Sequence, residues 1–168
     1  MFKVRVTEVE AATRGGVPFS FQTDAETMDA NSEAFSFVGS IVAVGKAFRD
    51  GQFWRVQGTI TCEKAFVCDR CLKACRETQN HAFAEEFTAG DADSGVHFLD
   101  ENTVDLMPLV RDILLAAQPL RQVCRPDCRG LCPKCGKDLN EGACDCDTFV
   151  PDPRLAALQD WTRKKDPV

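Results

Sequence analysis

Six of the chain's ten cysteines fall within VCRPDCRGLCPKCGKDLNEGACDC, residues 123–146, and the other four stand upstream at positions 62, 68, 71 and 75. So many thiols allow two architectures, a disulfide-stapled scaffold or a metal-bound one. With 168 residues of 44% apolar composition, the chain can bury a core without staples. Its start, MFKVRVTEVE, holds no apolar leader segment, and no apolar run approaches the roughly 20 residues of a membrane span. The expectation is a cytoplasmic protein with no membrane association, in which thiols stay reduced and serve as metal ligands.

Spacing sharpens this. Cys132-Pro-Lys-Cys135-Gly136 has the form of a zinc knuckle: two residues between thiolates let one tight turn occupy two corners of a tetrahedron. Cys144-Asp-Cys146 supplies a second pair after a stretch whose Asn140 and Gly142 suit a chain reversal. Upstream, Cys68-Asp-Arg-Cys71 needs two further ligands, and Cys124-x3-Cys128 is in excess of the downstream four. The economical solution joins these two pairs. A competing arrangement places Cys128 in the downstream site and leaves Cys68 and Cys71 as a thiol pair. Cys75 is a substitute ligand or a free thiol, and Cys62 a small hydrophobe. Two structural zinc ions are therefore expected, one on Cys68, Cys71, Cys124 and Cys128 and one on Cys132, Cys135, Cys144 and Cys146. Arg70, Lys73, Arg125, Arg129, Lys134 and Lys137 stand beside these ligands and offset the net charge of four thiolates on Zn²⁺. A solvated surface accounts for them as well.

The rest of the chain reads mainly as strand. Phe2, Val4 and Val6 alternate with Lys3, Arg5 and Thr7, whereas residues 10–34 show no clear period and read as a long loop or a short irregular helix. Residues 35–48 and 52–67 are rich in β-branched and aromatic residues, and Arg49-Asp50-Gly51 between them supplies a hairpin turn. On the second strand Trp54, Val56, Ile60 and Cys62 share one face, and Arg55, Gln57, Thr59 and Thr61 the other. A turn at Cys68–Cys71 leads to a third strand over 76–88, which brings Phe83 and Phe87 to one side; the acidic stretch 89–103 reads as loop. Residues 105–117 carry apolar side chains at helical spacing, with Asp105 as N-cap and Pro119 as stop. The fold expectation is α+β: an antiparallel β-sheet or partly open barrel, one packed helix and a C-terminal zinc-binding lobe. The division falls between a β-rich domain at 1–118 and a cysteine-rich lobe and tail at 119–168.

Catalytic zinc keeps an open position for water, commonly beside His or carboxylate ligands. Only His81 and His97 are present, neither at ligand spacing to a cysteine pair, and both read as surface residues. There is no phosphate-binding glycine loop, GxSxG or HExxH. The chain is not expected to be an enzyme or to have a small-molecule substrate. Its net charge of −6 is uneven, residues 1–110 carrying 10 Lys and Arg against 17 Asp and Glu. A broad nucleic-acid footprint on that part is disfavoured; direct RNA contact falls to Arg121, Arg125, Arg129, Lys134 and Lys137, or to Arg163, Lys164 and Lys165.

The order of C-x-R-C-L at 68–72, LLAAQPL at 114–120, the cysteine-rich stretch from 123 and DPRLAALQDW at 152–161 resembles the YceD family, named for large ribosomal RNA subunit accumulation. The resemblance covers most of residues 35–161, and CRGLCPKCGKDLN is its most specific part. It implies a bacterial cytoplasmic accessory factor in ribosome biogenesis, without catalytic chemistry, that supports accumulation of large-subunit ribosomal RNA. The implied partner is ribosomal RNA or a pre-ribosomal particle, reached directly or through a basic ribosomal protein or assembly factor. Family members that lack the downstream cluster keep C-x-R-C with a His or Cys pair after the helix, which favours Cys68 and Cys71 pairing with Cys124 and Cys128. The rival functions are a thiol-based redox or metal sensor using Cys68 and Cys71, and a minor RNA-processing enzyme.

Overall fold

A computed structural model describes residues 3–11, 15–50, 53–88, 97–100, 103–147 and 152–155. The chain runs β1 (Lys3–Arg5), α1 (Val6–Ala11), β2 (Val17–Asp24), α2 (Ala25–Met28), β3 (Phe35–Asp50), β4 (Phe53–Val67), β5 (Ala74–Thr88), β6 (His97–Asp100), β7 (Thr103–Asp105), α3 (Met107–Ala116) and a 3-10 turn at Pro153–Leu155. Antiparallel sheet dominates and helices are few, as in an α+β fold. It forms two compact units, one of Met1–Asp69 with Lys73–Pro126 and one of Arg70–Leu72 with Asp127–Val168.

In the first unit β2, β3, β4 and β5 make a four-stranded antiparallel meander in chain order, and β1, β7 and β6 make a three-stranded sheet. The β3–β4 hairpin expected from sequence is present, closing on the pair Asp50 and Phe53; its connecting residue Gly51 lies outside the described residues. Burial alternates along β4 on either side of the half-buried Gly58 and Thr59, with Trp54, Val56, Ile60 and Cys62 inside and Arg55, Gln57 and Thr61 exposed. Lys64, at the same parity, is wholly buried too. A register shift between Val38 and Val42 accommodates Gly39 at φ 71°, a left-handed conformation that glycine adopts without strain.

Across the meander, Phe19, Gly45, Gly58 and Phe83 stand in one row. A Cβ on Gly58 would meet Val44 O at 2.3 Å and the Phe83 ring at 3.1 Å, and one on Gly45 would meet Gln57 O at 2.2 Å and the Phe19 ring at 2.7 Å. The missing side chains are the space the two rings fill.

The core gathers Val4, Val9, Ile41, Trp54, Val56, Ile60 and Val104 with Leu106, Leu109, Val110 and Leu114 from the helical segment. The apolar stripe of α3 is thus its packed face. The helix starts later than its expected bound of 105: Leu106 takes the cap position, and Asp105 still accepts the Met107 N–H through its carboxylate at 2.9 Å. Arg111 on its polar side donates to Asp29 O at 2.9 Å and pairs with the Asp29 carboxylate at 3.1 Å, clamping the end of α2.

Three expectations are corrected. Residues 10–34 contain β2 and α2 in place of a loop or irregular helix. The first alternating segment is strand only over Lys3–Arg5, then turns into α1. Within 89–103, expected as loop, His97–Asp100 is a strand paired with β7, residues 89–96 and 101–102 lying outside the described set. The side chains of Phe87 and His97, residues 156–161, and Arg163, Lys164 and Lys165 also lie outside the described residues.

Candidate metal centres

The upstream knuckle follows the end of β4. Cys68 N donates to Lys73 O at 2.9 Å, closing a turn through Asp69, Arg70 and Cys71, and Leu72 adopts φ 57°. The downstream knuckle repeats this residue for residue: Cys132 N donates to Lys137 O at 2.9 Å, and Gly136, the counterpart of Leu72, sits at φ 72°. Both turns place the residue after the second cysteine in the left-handed region so that the two thiols face the same way. Glycine adopts this freely; Leu72 does so at a backbone cost and remains exposed.

Around the first knuckle the Sγ atoms of Cys68, Cys71, Cys124 and Cys128 lie within 4.8 Å of one another, and around the second those of Cys132, Cys135, Cys144 and Cys146 do the same. These are the eight cysteines expected from spacing, and Cys128 falls with the upstream set, against the competing arrangement. A tetrahedron with metal–sulfur bonds of about 2.3 Å has edges of about 3.8 Å, so both groups need only a small contraction to close on an ion. Among the described residues both groups are cysteine alone, the soft donor set that suits zinc. The residues fit that ion and leave no position for a bound water.

Donors already point at the sulfurs. Cys124 N–H reaches Cys68 Sγ at 3.4 Å, and the Asn140 amide reaches Cys128 Sγ at 3.5 Å. The backbone N–H groups of Cys135 and Lys134 draw the Cys132 thiol down to about 6, while the hydrogen bond Cys146 shares with Cys135 pushes Cys146 up to about 12. A bound cation would take the place of the protons that the cluster otherwise shares.

The segment bearing Cys124 is tied down by groups that sequence reading passed over. Gln122 N donates to the Asp69 carboxylate at 2.7 Å and Asp69 N to Gln122 O at 2.7 Å. The Gln122 side chain accepts from the buried Lys64 ammonium at 2.5 Å. Lys64 also meets Glu77 at 3.5 Å and the ring faces of Phe66 and Phe35 at 5.0 and 5.3 Å. Lys64 could have been found by extending the inward parity of β4 by one step; Gln122 carried no such signal.

The remaining thiols and histidines stand apart. Cys62 is buried in β4, and burial pushes its thiol up to about 11. Cys75 is partly exposed and donates to Lys73 O. His81, expected on the surface, is half-buried in β5 beside Gln79, and burial holds it below its usual 6.5. The basic residues Arg125, Arg129, Lys134 and Lys137 are exposed.

The family model described as large ribosomal RNA subunit accumulation protein YceD matches residues 56–161, a span that holds both clusters. The chain belongs to this family. YceD relatives include an uncharacterized protein of Mycobacterium tuberculosis, 34% identical over 91 residues, or 50% of this chain and 44% of that protein. Uncharacterized protein YlbN of Bacillus subtilis is 31% identical over 113 residues, 64% of this chain and 66% of its own length. Large ribosomal RNA subunit accumulation protein YCED homolog 1, chloroplastic, of Arabidopsis thaliana is 33% identical over 57 residues, 33% of this chain and 18% of that protein. The match thus spans less than half the length of the mycobacterial relatives. No solved structure matches the chain. Among the described residues no helix is long and apolar enough to cross a membrane.

Proposed function

We propose that this YceD chain is a non-enzymatic accessory factor in ribosome biogenesis, supporting accumulation of large-subunit ribosomal RNA in the bacterial cytoplasm with two structural zinc ions in its thiol clusters. The family match over residues 56–161 carries the reading. The chemistry of the clusters supports it: four thiolates saturate a tetrahedral ion, which when bound would crosslink chain segments and would have no open position for water or substrate. Burial of Cys68 and Cys71 beside Cys124 and Cys128 disfavours a redox pair, which needs access to its oxidant.

Two routes lead to the pre-ribosomal particle. Direct RNA contact would use Arg121, Arg125, Arg129, Lys134 and Lys137, a modest patch whose field the zinc-bound thiolates weaken. Docking of a basic ribosomal protein or assembly factor on the acidic front half agrees better with 17 acids against 10 basic residues there, and is the route we favour. The test is co-sedimentation of the tagged protein with pre-ribosomal particles, for wild type and for Arg125→Glu, Arg129→Glu, Lys134→Glu combined. Lys137 is spared because its ammonium holds Ala143 O at 2.7 Å. Survival of the association supports protein docking; a loss that follows salt assigns direct RNA contact. Absence of the wild-type protein from such particles, with ribosomal RNA levels unchanged on deletion, would overturn the function itself.

A further inference from the structure

Only Arg129, Gly130 and Leu131 separate the last upstream ligand from the first downstream one. That linker is bonded on both sides. Leu131 N donates to Arg70 O at 3.0 Å, and the Arg70 guanidinium donates to Cys128 O at 2.7 Å. A Cβ on Gly130 would lie 2.7 Å from Arg70 O, so no side chain fits there. From the other side Leu139 N donates to Gly130 O at 2.9 Å, and Leu131 and Asp138 form a β-bridge.

Asn140 completes the second set. Its Oδ1 accepts from Arg129 N at 2.9 Å, and its Nδ2 donates to Asp138 Oδ1 at 2.7 Å and to Cys128 Sγ at 3.5 Å. An acceptor facing Arg129 N–H and a donor facing a carboxylate admit one orientation of the amide, so the group facing the Cys128 sulfur is an N–H. Asn140 belongs to the loop between Cys135 and Cys144, whose two ends are members of the downstream cluster.

We propose that Asn140 is a positioning residue coupling the two clusters, so that closure of the downstream cluster on its ion strengthens the hold of the upstream cluster through Cys128. This rests on the reading of both clusters as metal centres. Closing the downstream tetrahedron sets the loop and with it the amide. An N–H aimed at a thiolate stabilises its charged form, and hydrogen-bonding partners behind metal ligands typically contribute about 10- to 100-fold in affinity. Linkage makes the effect mutual: an ion in the upstream cluster holds the amide, and so tightens the downstream one.

The test uses the full chain loaded with cadmium-113, whose two resonances are assigned by their separate loss in Cys68→Ser and Cys144→Ser. Competition with a chelator then gives retention of each ion. Asn140→Asp keeps the size and the acceptor but removes the N–H. It is expected to weaken the upstream ion by about 10-fold or more, with a smaller effect downstream. Because Asn140→Asp also sets two carboxylates together, the pair Asp138→Asn with Asn140→Asp restores that contact and still leaves Cys128 without the amide donor; upstream retention should stay weakened. Wild-type upstream retention in the pair, or upstream retention unchanged in both Asn140→Asp and Cys144→Ser, would each overturn the coupling. Fewer than two cadmium resonances in the wild-type chain would instead overturn the metal reading on which it rests.

Discussion

Lys64 carries its ammonium into a buried position where it depends on a few named partners. Buried without compensation, it would cost several kcal/mol; here the Gln122 amide oxygen at 2.5 Å, the Glu77 carboxylate at 3.5 Å and two aromatic faces offset that cost. Gln122→Ala is expected to destabilise the metal-loaded protein by about 3 kcal/mol in urea unfolding, because it leaves the charge with its partly exposed carboxylate partner and the rings alone. Adding Lys64→Met should recover most of the loss, since a thioether of similar length needs no acceptor. A cost under about 0.5 kcal/mol for Gln122→Ala would mean that water takes its place. This residue was half legible from sequence: its inward position followed from the period of β4, but the partner that makes a buried lysine tolerable lies 58 positions away and only folding brings it near.

The hairpin of β3 and β4 and the helix α3 announce themselves locally, through alternation, turn chemistry and helical spacing. Strand β2 carried the same signal in Val17, Phe19, Phe21 and Thr23, but Pro18 and the polar residues after it read as loop. β2 is an edge strand of the meander, the place in a sheet where a proline is tolerated. The β6–β7 pairing lacked a local signal because short strands gain their stability from neighbours. The glycine row makes a prediction for the sheet as a whole. Gly58→Val would set a branched side chain 2.3 Å from Val44 O and under the Phe83 ring, and should cost about 3 kcal/mol in thermal unfolding. Gly39→Ala, in open space at φ 71°, should cost only about 1 kcal/mol, the backbone penalty alone. Equal losses at the two positions would show that crowding does not select glycine at Gly58.

For the whole molecule, cysteine spacing allowed two groupings, and folding chose one. The C-x2-C pairs were legible because a knuckle is a local structure; the assignment of Cys124 and Cys128 to Cys68 and Cys71 depended on a route through β5 and α3 that spacing alone leaves open. If the downstream cluster holds an ion, its binding free energy is folding free energy for the segment around it. Cys132→Ser with Cys135→Ser should therefore open residues 127–147 to protease while the four-stranded sheet stays protected. The most direct measurement of the account is the metal content of protein purified without added metal, with native thiol alkylation counted on the same sample. Two zinc ions per chain and reaction of Cys75 alone are predicted, since eight thiols would be taken up as ligands and Cys62 is buried with its thiol raised to about 11. Fewer than two ions, with the cluster cysteines open to alkylation, would contradict it.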